Sequence, residues 1–398
     1  MQKEIRILHV NYIPSSKYGK AKKIQFQADA VRAQNLHIDF LVLNDENSSI
    51  VNNIAYEKLK LPKNKFLKNL AQKLFRYHYL YRALKQKYDE YDVFILRYPL
   101  TIGIGVSRFF KAFGNKLYTE HHTIESGELK SYFQFSPASR VIMMYENRKR
   151  KKLMPWCRGV IGVTKEISLH AHSFNPRGSK FMLSNGIFLP DIKPITTPIS
   201  EDKQSLHILF IASNFASWHG LDRLLAGLYQ YQGEVKVYLE LAGNIFNNQL
   251  LDSIEKCNNL KSNIQITTHG IVLGEALDRL YEKADIGISS LAIHRNGMVE
   301  ACVLKTREYC ARGLPFVYAY NDPDLSGHEG YALKIPANES PVNIEGIIKF
   351  IDQIRNLVDT RSTMRNDATD RMSWGAKFKS LYNQISDDYT NSRESKHR

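Results

Sequence analysis

The sequence predicts an α/β protein of two doubly wound parallel-sheet domains, and three observations lead there. The chain has 398 residues, beyond the roughly 250–300 at which one hydrophobic core stops growing, so two domains are expected. Short apolar runs alternate with helical periods along most of its length, the pattern of strands buried on both faces and covered by helices. A polar, proline-bearing stretch at 191–205 divides that alternation in two and reads as a linker. Hydrophobic residues at 43% and charged residues at 24% are ordinary globular composition, which excludes a disordered or fibrous chain.

In the first half, an apolar run at 5–10 is followed by a Pro/Ser/Gly loop at 13–19, a helix at 20–33 and a strand at 38–43. The alternation recurs at 93–96, 104–113, 116–119 and 159–163. The second half begins with a strand at 206–212. Its first helix carries Leu221, Leu224, Leu225 and Leu228 on one face. Further strands are expected at 235–241, 264–268, 285–289 and 315–319. The result is two Rossmann-like halves, 1–190 and 206–372, with a cleft between them. A terminal helix at 373–386 and a polar, frayed tail at 387–398 complete the chain.

Charge and cysteines narrow the function. Residues 1–200 hold 33 Lys and Arg against 15 Asp and Glu, whereas the remainder holds 22 against 25. A basic excess confined to one half points to a local anionic partner. The opening residues carry charges where a secretory signal needs an apolar run, and no stretch approaches the roughly 18–20 apolar residues of a membrane span. Cys157, Cys257, Cys302 and Cys310 form no CxxC pair, so structural zinc and disulfides are not expected, and a reduced cytosolic protein is. No GxGxxG follows the first strand, which argues against a dinucleotide dehydrogenase, and no GxSxG is present.

The richest segment runs from Gly297 to Val317. Glu300 and Glu308 have seven residues between them, and a helix is expected from near Leu304 to a C-capping Gly313, with Pro315 beyond. Glu308 then lies about 6 Å along that helix. Amides around Val303, Leu304 and Thr306 at the positive end of the helix dipole suit a diphosphate, and Lys305 adds a cation. An ionised Glu308 has two acceptor oxygens for vicinal ribose hydroxyls, and Glu300 would reach the sugar end.

Glu-x7-Glu followed by Ala-Arg-Gly-Leu-Pro-Phe-Val resembles the donor-site signature of the retaining, nucleotide-sugar-dependent glycosyltransferases of family 4, which have the GT-B fold. The likeness extends to Val163-Thr-Lys-Glu-Ile, Ser184-Asn-Gly-Ile, Trp218-His-Gly-Leu-Asp-Arg-Leu-Leu, His269-Gly and Leu280-Tyr-Glu-Lys-Ala-Asp-Ile-Gly-Ile, in the family's order over most of 1–330. It implies a donor-binding C-terminal domain, an acceptor-binding N-terminal domain and a terminal helix packing back across the domains. It implies no metal or other cofactor at the donor site, the nucleotide-sugar being a co-substrate. Tyr118-Thr-Glu-His-His-Thr resembles the family's Glu-x-His segment, which makes His122, with Glu120 before it, the functional imidazole near the donor sugar; His121 is the alternative. Gly19 matches a glycine-rich turn at the donor phosphates. By the same register His219 stands where many relatives have a diphosphate-gripping Lys, and no Arg aligns with its partner. Lys305 or Arg295 is placed to compensate.

Two stretches combine cations with aromatic residues: 58–87, and Arg148, Lys149, Arg150, Lys151 and Lys152 before Trp156. Basic amphipathic helices favour anionic membranes, and no nucleic-acid-binding motif accompanies them. The expectation is a retaining hexosyltransferase at the inner face of the cell membrane, moving sugar to a lipid-linked glycan in surface-polysaccharide assembly. The rival is a catalytically inactive protein of the same fold that scaffolds an active transferase.

Overall fold

The computed structural model describes residues 4–13, 18–44, 49–51, 54–124, 137–357 and 359–394. The chain forms two units, Met1–Ser184 with Trp374–Arg398, and Asn185–Ser373. The first contains β1 (Ile7–Tyr12), α1 (Tyr18–Ala33), β2 (Ile38–Asn44), β3 (Ser49–Val51), β4 (Ile54–Lys58), α2 (Lys65–Leu74), α3 (Arg76–Lys85), β5 (Val93–Arg97) and α4 (Val106–Phe113). Then follow β6 (Leu117–His121), α5 (Pro137–Leu153), β7 (Gly159–Gly162), α6 (Lys165–His172) and β8 (Ser179–Met182). The strands form one sheet in the order β3-β4-β2-β1-β5-β6-β7-β8, parallel except for β3 against β4. Strand order reverses between β1 and β5. In such sheets ligands bind beyond the carboxyl ends of the strands at that reversal.

Strand β1 shows how the sequence positions a site. Its alternate residues Leu8 and Val10 enter the apolar core with Phe94, Leu96 and Phe110. The intervening His9 and Asn11 take the opposite face, as period-two geometry requires. Register pairs His9 with Ile95 and Ile95 with Tyr118, so Glu120 shares the face of His9 and Asn11.

The second unit contains β9 (Ser205–Asn214), α7 (Leu221–Gln230), β10 (Lys236–Asn244), α8 (Asn248–Leu260), β11 (Ile264–Gly270), α9 (Glu275–Lys283) and β12 (Ile286–Ile288). After these come α10 (Leu304–Arg312), β13 (Phe316–Tyr318), β14 (Ala332–Lys334), α11 (Ile344–Arg355) and α12 (Thr360–Asp367). Its parallel sheet runs β11-β10-β9-β12-β13-β14 and reverses between β9 and β12. Both faces are apolar: Ile208 and Phe210 pack with the leucine stripe of α7, while Leu209 packs with Tyr309 and Phe316 on the other side. Gly220 enters α7 with φ of +71°, where a Cβ would stand 2.8 Å from that of Leu291. A residue with a side chain would be strained there and would crowd its neighbour.

Two sequence expectations change. The stretch at 191–205 lies within the second unit, because the division falls at Ser184. Residues from Asp387 continue α13 (Trp374–Glu394) instead of fraying. Arg158 Nε donates to Asp388 at 2.8 Å, and the Tyr389 hydroxyl donates to Asp92 at 2.8 Å. The terminal helix also belongs to the first unit, where Phe378 packs edge-on against Phe40 and His9. Among the described residues no helix is long and apolar enough to cross a membrane.

Candidate functional site

In the first unit three residues converge at the carboxyl ends of β1 and β6. Glu120 is buried, and its two carboxylate oxygens face His9 Nε2 at 2.9 Å and His122 Nε2 at 3.0 Å. Asn11 Nδ2 lies 2.9 Å from His9 Nδ1. This network assigns the tautomers: each imidazole donates through Nε2, and His9 accepts from Asn11 through Nδ1. Burial alone would raise the Glu120 pKa, but His122 and His9 on either side hold it well below the ordinary carboxylate value. His122 titrates at about 4, lowered by burial and then by Lys23 and Arg97, with Glu120 opposing. Near neutral pH Glu120 is therefore a carboxylate and His122 an uncharged imidazole. Nδ1 of His122 is left as an acceptor for a hydroxyl.

The adjacent histidines differ. His121 is 1% exposed, stacks on Tyr98 with centroids 4.5 Å apart and lies 3.0 Å from Thr119 Oγ1. The His122 side chain keeps 18% exposure. Sequence reasoning missed His9 and Asn11. Their signal was two polar residues at alternate positions of a strand otherwise buried throughout.

In the second unit the loops after β9 and β12 are joined by backbone bonds, Leu291 N to His219 O at 2.9 Å and Ala292 N to Trp218 O at 3.2 Å. Helix α10 starts at Leu304 and ends at Gly313, whose φ of +80° makes it the left-handed cap. Its N-cap is Val303, whose side chain offers no acceptor, so the first amides lack a side-chain cap. Beneath that first turn, Thr306 Oγ1 joins Ser289 Oγ at 2.9 Å and the Tyr320 hydroxyl in a buried trio. Glu308, a turn further on, accepts from Arg312 Nε at 3.0 Å, and Arg312 also donates to Asp278 at 2.8 Å. Glu300 sits where the backbone pairs with Asn321.

Two cations expected near the helix are held quite differently. Lys305 Nζ is closed off from solvent, has no hydrogen-bond partner and lies 4.7 Å from the centre of the Phe210 ring. Burial brings its pKa down to about 7. His219 accepts from Ala216 N through Nδ1 at 3.1 Å, and its pKa falls to about 3 through burial and then the nearby Lys305. Arg295, by contrast, is committed: it donates twice to Asp222, at 2.9 and 2.7 Å, to Glu339, and to Ser217 O. Asp322 and Asp324 lie beside Cys302, but the buried Arg307 guanidinium pairs with both carboxylates, so both are engaged within the protein.

Gly19 lies in the first turn of α1 instead of a loop. The preceding residues 14–17 lie outside the described residues. Arg148, Lys151 and Lys152 are exposed and Lys149 half-buried, but Arg150 is 1% exposed. Its guanidinium lies 4.1 Å from the Phe174 ring centre and 5.3 Å from that of Tyr98, which removes it from the expected basic surface. The other basic stretch gives the amphipathic α2, with Lys65 and Lys73 exposed beside Phe66, Leu67 and Leu70.

No protein-family model matches the chain, and no curated protein matches it. Solved structures match over almost its whole length. A glycosyltransferase from Rickettsia africae is 14% identical, with TM-score 0.61, over 97% of this chain and 99% of that one. HepE from Anabaena, solved with UDP and glucose, is 14% identical with TM-score 0.60 over 96% and 100%. The apo lipopolysaccharide outer core galactosyltransferase WaaB is 10% identical with TM-score 0.61 over 95% and 99%. At such identities likeness establishes architecture, and together with the two doubly wound sheets it identifies the fold of this chain as GT-B.

Proposed function

We propose that the chain is a retaining glycosyltransferase that moves a hexose from a nucleotide-sugar, UDP- or GDP-linked, to a lipid-linked glycan acceptor. The observation that carries this reading is α10: an uncapped helix start with Lys305 in its first turn and Glu308 one turn on. Amides of Val303 and Leu304 and the Lys305 amine bind the diphosphate, while Glu308 takes the ribose hydroxyls and Glu300 the sugar. When the bond from the anomeric carbon to the diphosphate breaks, negative charge grows on the leaving phosphate oxygen. Amide dipoles and a cation fixed there stabilise that charge. His122 Nδ1 accepts a sugar hydroxyl, and Glu120 and His9 hold the ring in place. His219 takes part by lining the diphosphate site.

On the acceptor side, Phe66 of α2 is 74% exposed among lysines. Apolar side chains set among cations suit the surface of an anionic membrane. The replacement of a cationic lysine by His219 favours the rival reading, an inactive scaffold.

Calorimetric titration of UDP and GDP separates the two. The transferase reading expects one nucleotide to bind, and Glu308→Ala to weaken it by about 10- to 100-fold through loss of charged hydrogen bonds. No binding by the wild type favours the scaffold. Unchanged affinity in a folded Glu308→Ala removes the ribose role. NMR of the product reads the anomeric configuration, and inversion refutes retention.

A further inference from the structure

Lys305 is the second residue of α10, and its Nζ has neither solvent nor a hydrogen-bond partner. Buried amines are normally set against a carboxylate or carbonyls, because desolvation without replacement bonds is costly. Here the ring of Phe210, from β9, takes that place at 4.7 Å. The ionisable group facing it is His219, from the turn before α7, which is itself uncharged near neutral pH. Burial accounts for the lowered lysine pKa, without a contribution from Glu300 or Glu308 on its own segment. Two side chains that are basic in water thus have their basicity lowered beside a helix start that lacks an acceptor cap, His219 being uncharged near neutral pH and Lys305 about half charged at pH 7. A methionine would fill the same volume without an amine to desolvate. The arrangement lowers stability unless an anion answers it.

We propose that Lys305 is a proton-coupled clamp for the donor diphosphate: the amine over Phe210 gains a proton and turns onto the diphosphate when a nucleotide-sugar binds. The clamp takes over from α10 the charge that His219 does not supply from the loop. It rests on the donor reading given above. The step is a protonation: solvent or buffer gives one proton, amine becomes ammonium, and no bond of the donor changes. Arrival of the anion raises the lysine pKa, so binding and proton uptake are linked.

The test is calorimetric titration of UDP-glucose and GDP-mannose in buffers of different ionisation enthalpy; their diphosphates bear no proton that titrates near neutrality. From a free pKa of about 7, uptake should be roughly 0.9 proton at pH 8 and roughly 0.1 at pH 6. Lys305→Arg should bind without uptake, being always charged. Lys305→Met should lose uptake and at least tenfold in affinity, yet melt at a higher temperature, whereas His219→Gln should keep the uptake. If only UDP or GDP binds, the difference between wild type and Lys305→Met cancels the nucleotide's own ionisation and gives the same reading. Binding with equal heats in both buffers, or uptake surviving in Lys305→Met, overturns the clamp and leaves the donor reading standing. Absence of binding by every one of these nucleotides overturns the donor reading, and the clamp with it.

Discussion

Glu120 is the residue whose removal tests most about the first unit. Its two oxygens receive the Nε2 protons of His9 and His122 at 2.9 and 3.0 Å. Glu120→Leu leaves both donors without an acceptor. His9 is buried, so its stranded N–H costs the full penalty, about 1–3 kcal/mol. His122 is partly exposed and recovers some of its loss through water, so the total is about 3 kcal/mol. For a unit of this size that lowers the melting temperature by roughly 6–12 °C. Glu120→Gln costs only about 1 kcal/mol, because its carbonyl serves one imidazole and its amide pairs with the other if that ring changes tautomer. The ring able to change is His122, since Asn11 pins His9. In Glu120→Gln the His122 Nδ1 therefore becomes a donor, and turnover should fall while nucleotide affinity stays. Calorimetric melting, nitrogen-15 NMR of the imidazoles and UDP titration read these three outcomes. A Glu120→Leu protein melting within 2 °C of wild type, or a His122 tautomer unchanged in Glu120→Gln, would refute the network.

Acid should act on the same cluster. His122 is uncharged in the fold down to about 4, so its contribution is complete above the ordinary histidine value near 6.5 and is lost as pH falls from there towards 4. The depressed Glu120 contributes above the ordinary carboxylate value and loses that contribution as pH falls through its own folded value. Melting followed from pH 7 to about pH 2.5 should decline, and Glu120→Leu should decline less steeply below the ordinary carboxylate value; parallel curves there would count against the assignment. His122→Ala should lower turnover far more than nucleotide affinity, and equal losses in both would place it at the nucleotide instead. Neutralising Arg148, Lys149, Lys151 and Lys152, with Phe66→Ser on α2, should weaken sedimentation with anionic vesicles at physiological salt while sparing UDP binding. Undiminished sedimentation would leave that surface merely solvated. Arg150 is excluded from this set, because its burial against Phe174 makes it a stability residue.

Much of the second unit was legible because its signals are local. Gly313 and Pro315 end α10 by backbone chemistry, and the α7 leucines recur at helical spacing; both elements lie where those features put them. Strands β4, β8 and β14 escaped notice, being short and only partly buried, so their identity comes from the neighbour they pair with. Arg150 was misplaced because a run of five cations reads as solvated, and only tertiary structure brings Phe174 and Tyr98 to one of them. The roles of His9 and Asp388 likewise depend on partners more than 100 residues away.

The placement of α13 sets an order of events during synthesis. The second unit is one continuous stretch, and its two ends meet where Ile187 N bonds Met372 O at 2.8 Å beside the bridge of Ile187 to Ser373. It can close as soon as residue 373 has left the ribosome, and to the first unit it then counts as a short loop, costing little closure entropy. The first unit, begun earlier, must wait. Until residues 374–394 emerge, the sheet face that carries His9 and Phe40 lacks the Phe378 ring that covers it. Of the two units the one begun earlier is thus finished later, and over that interval a nascent chain leaves Phe40 on an uncovered sheet face open to chaperones or to misassembly with another chain.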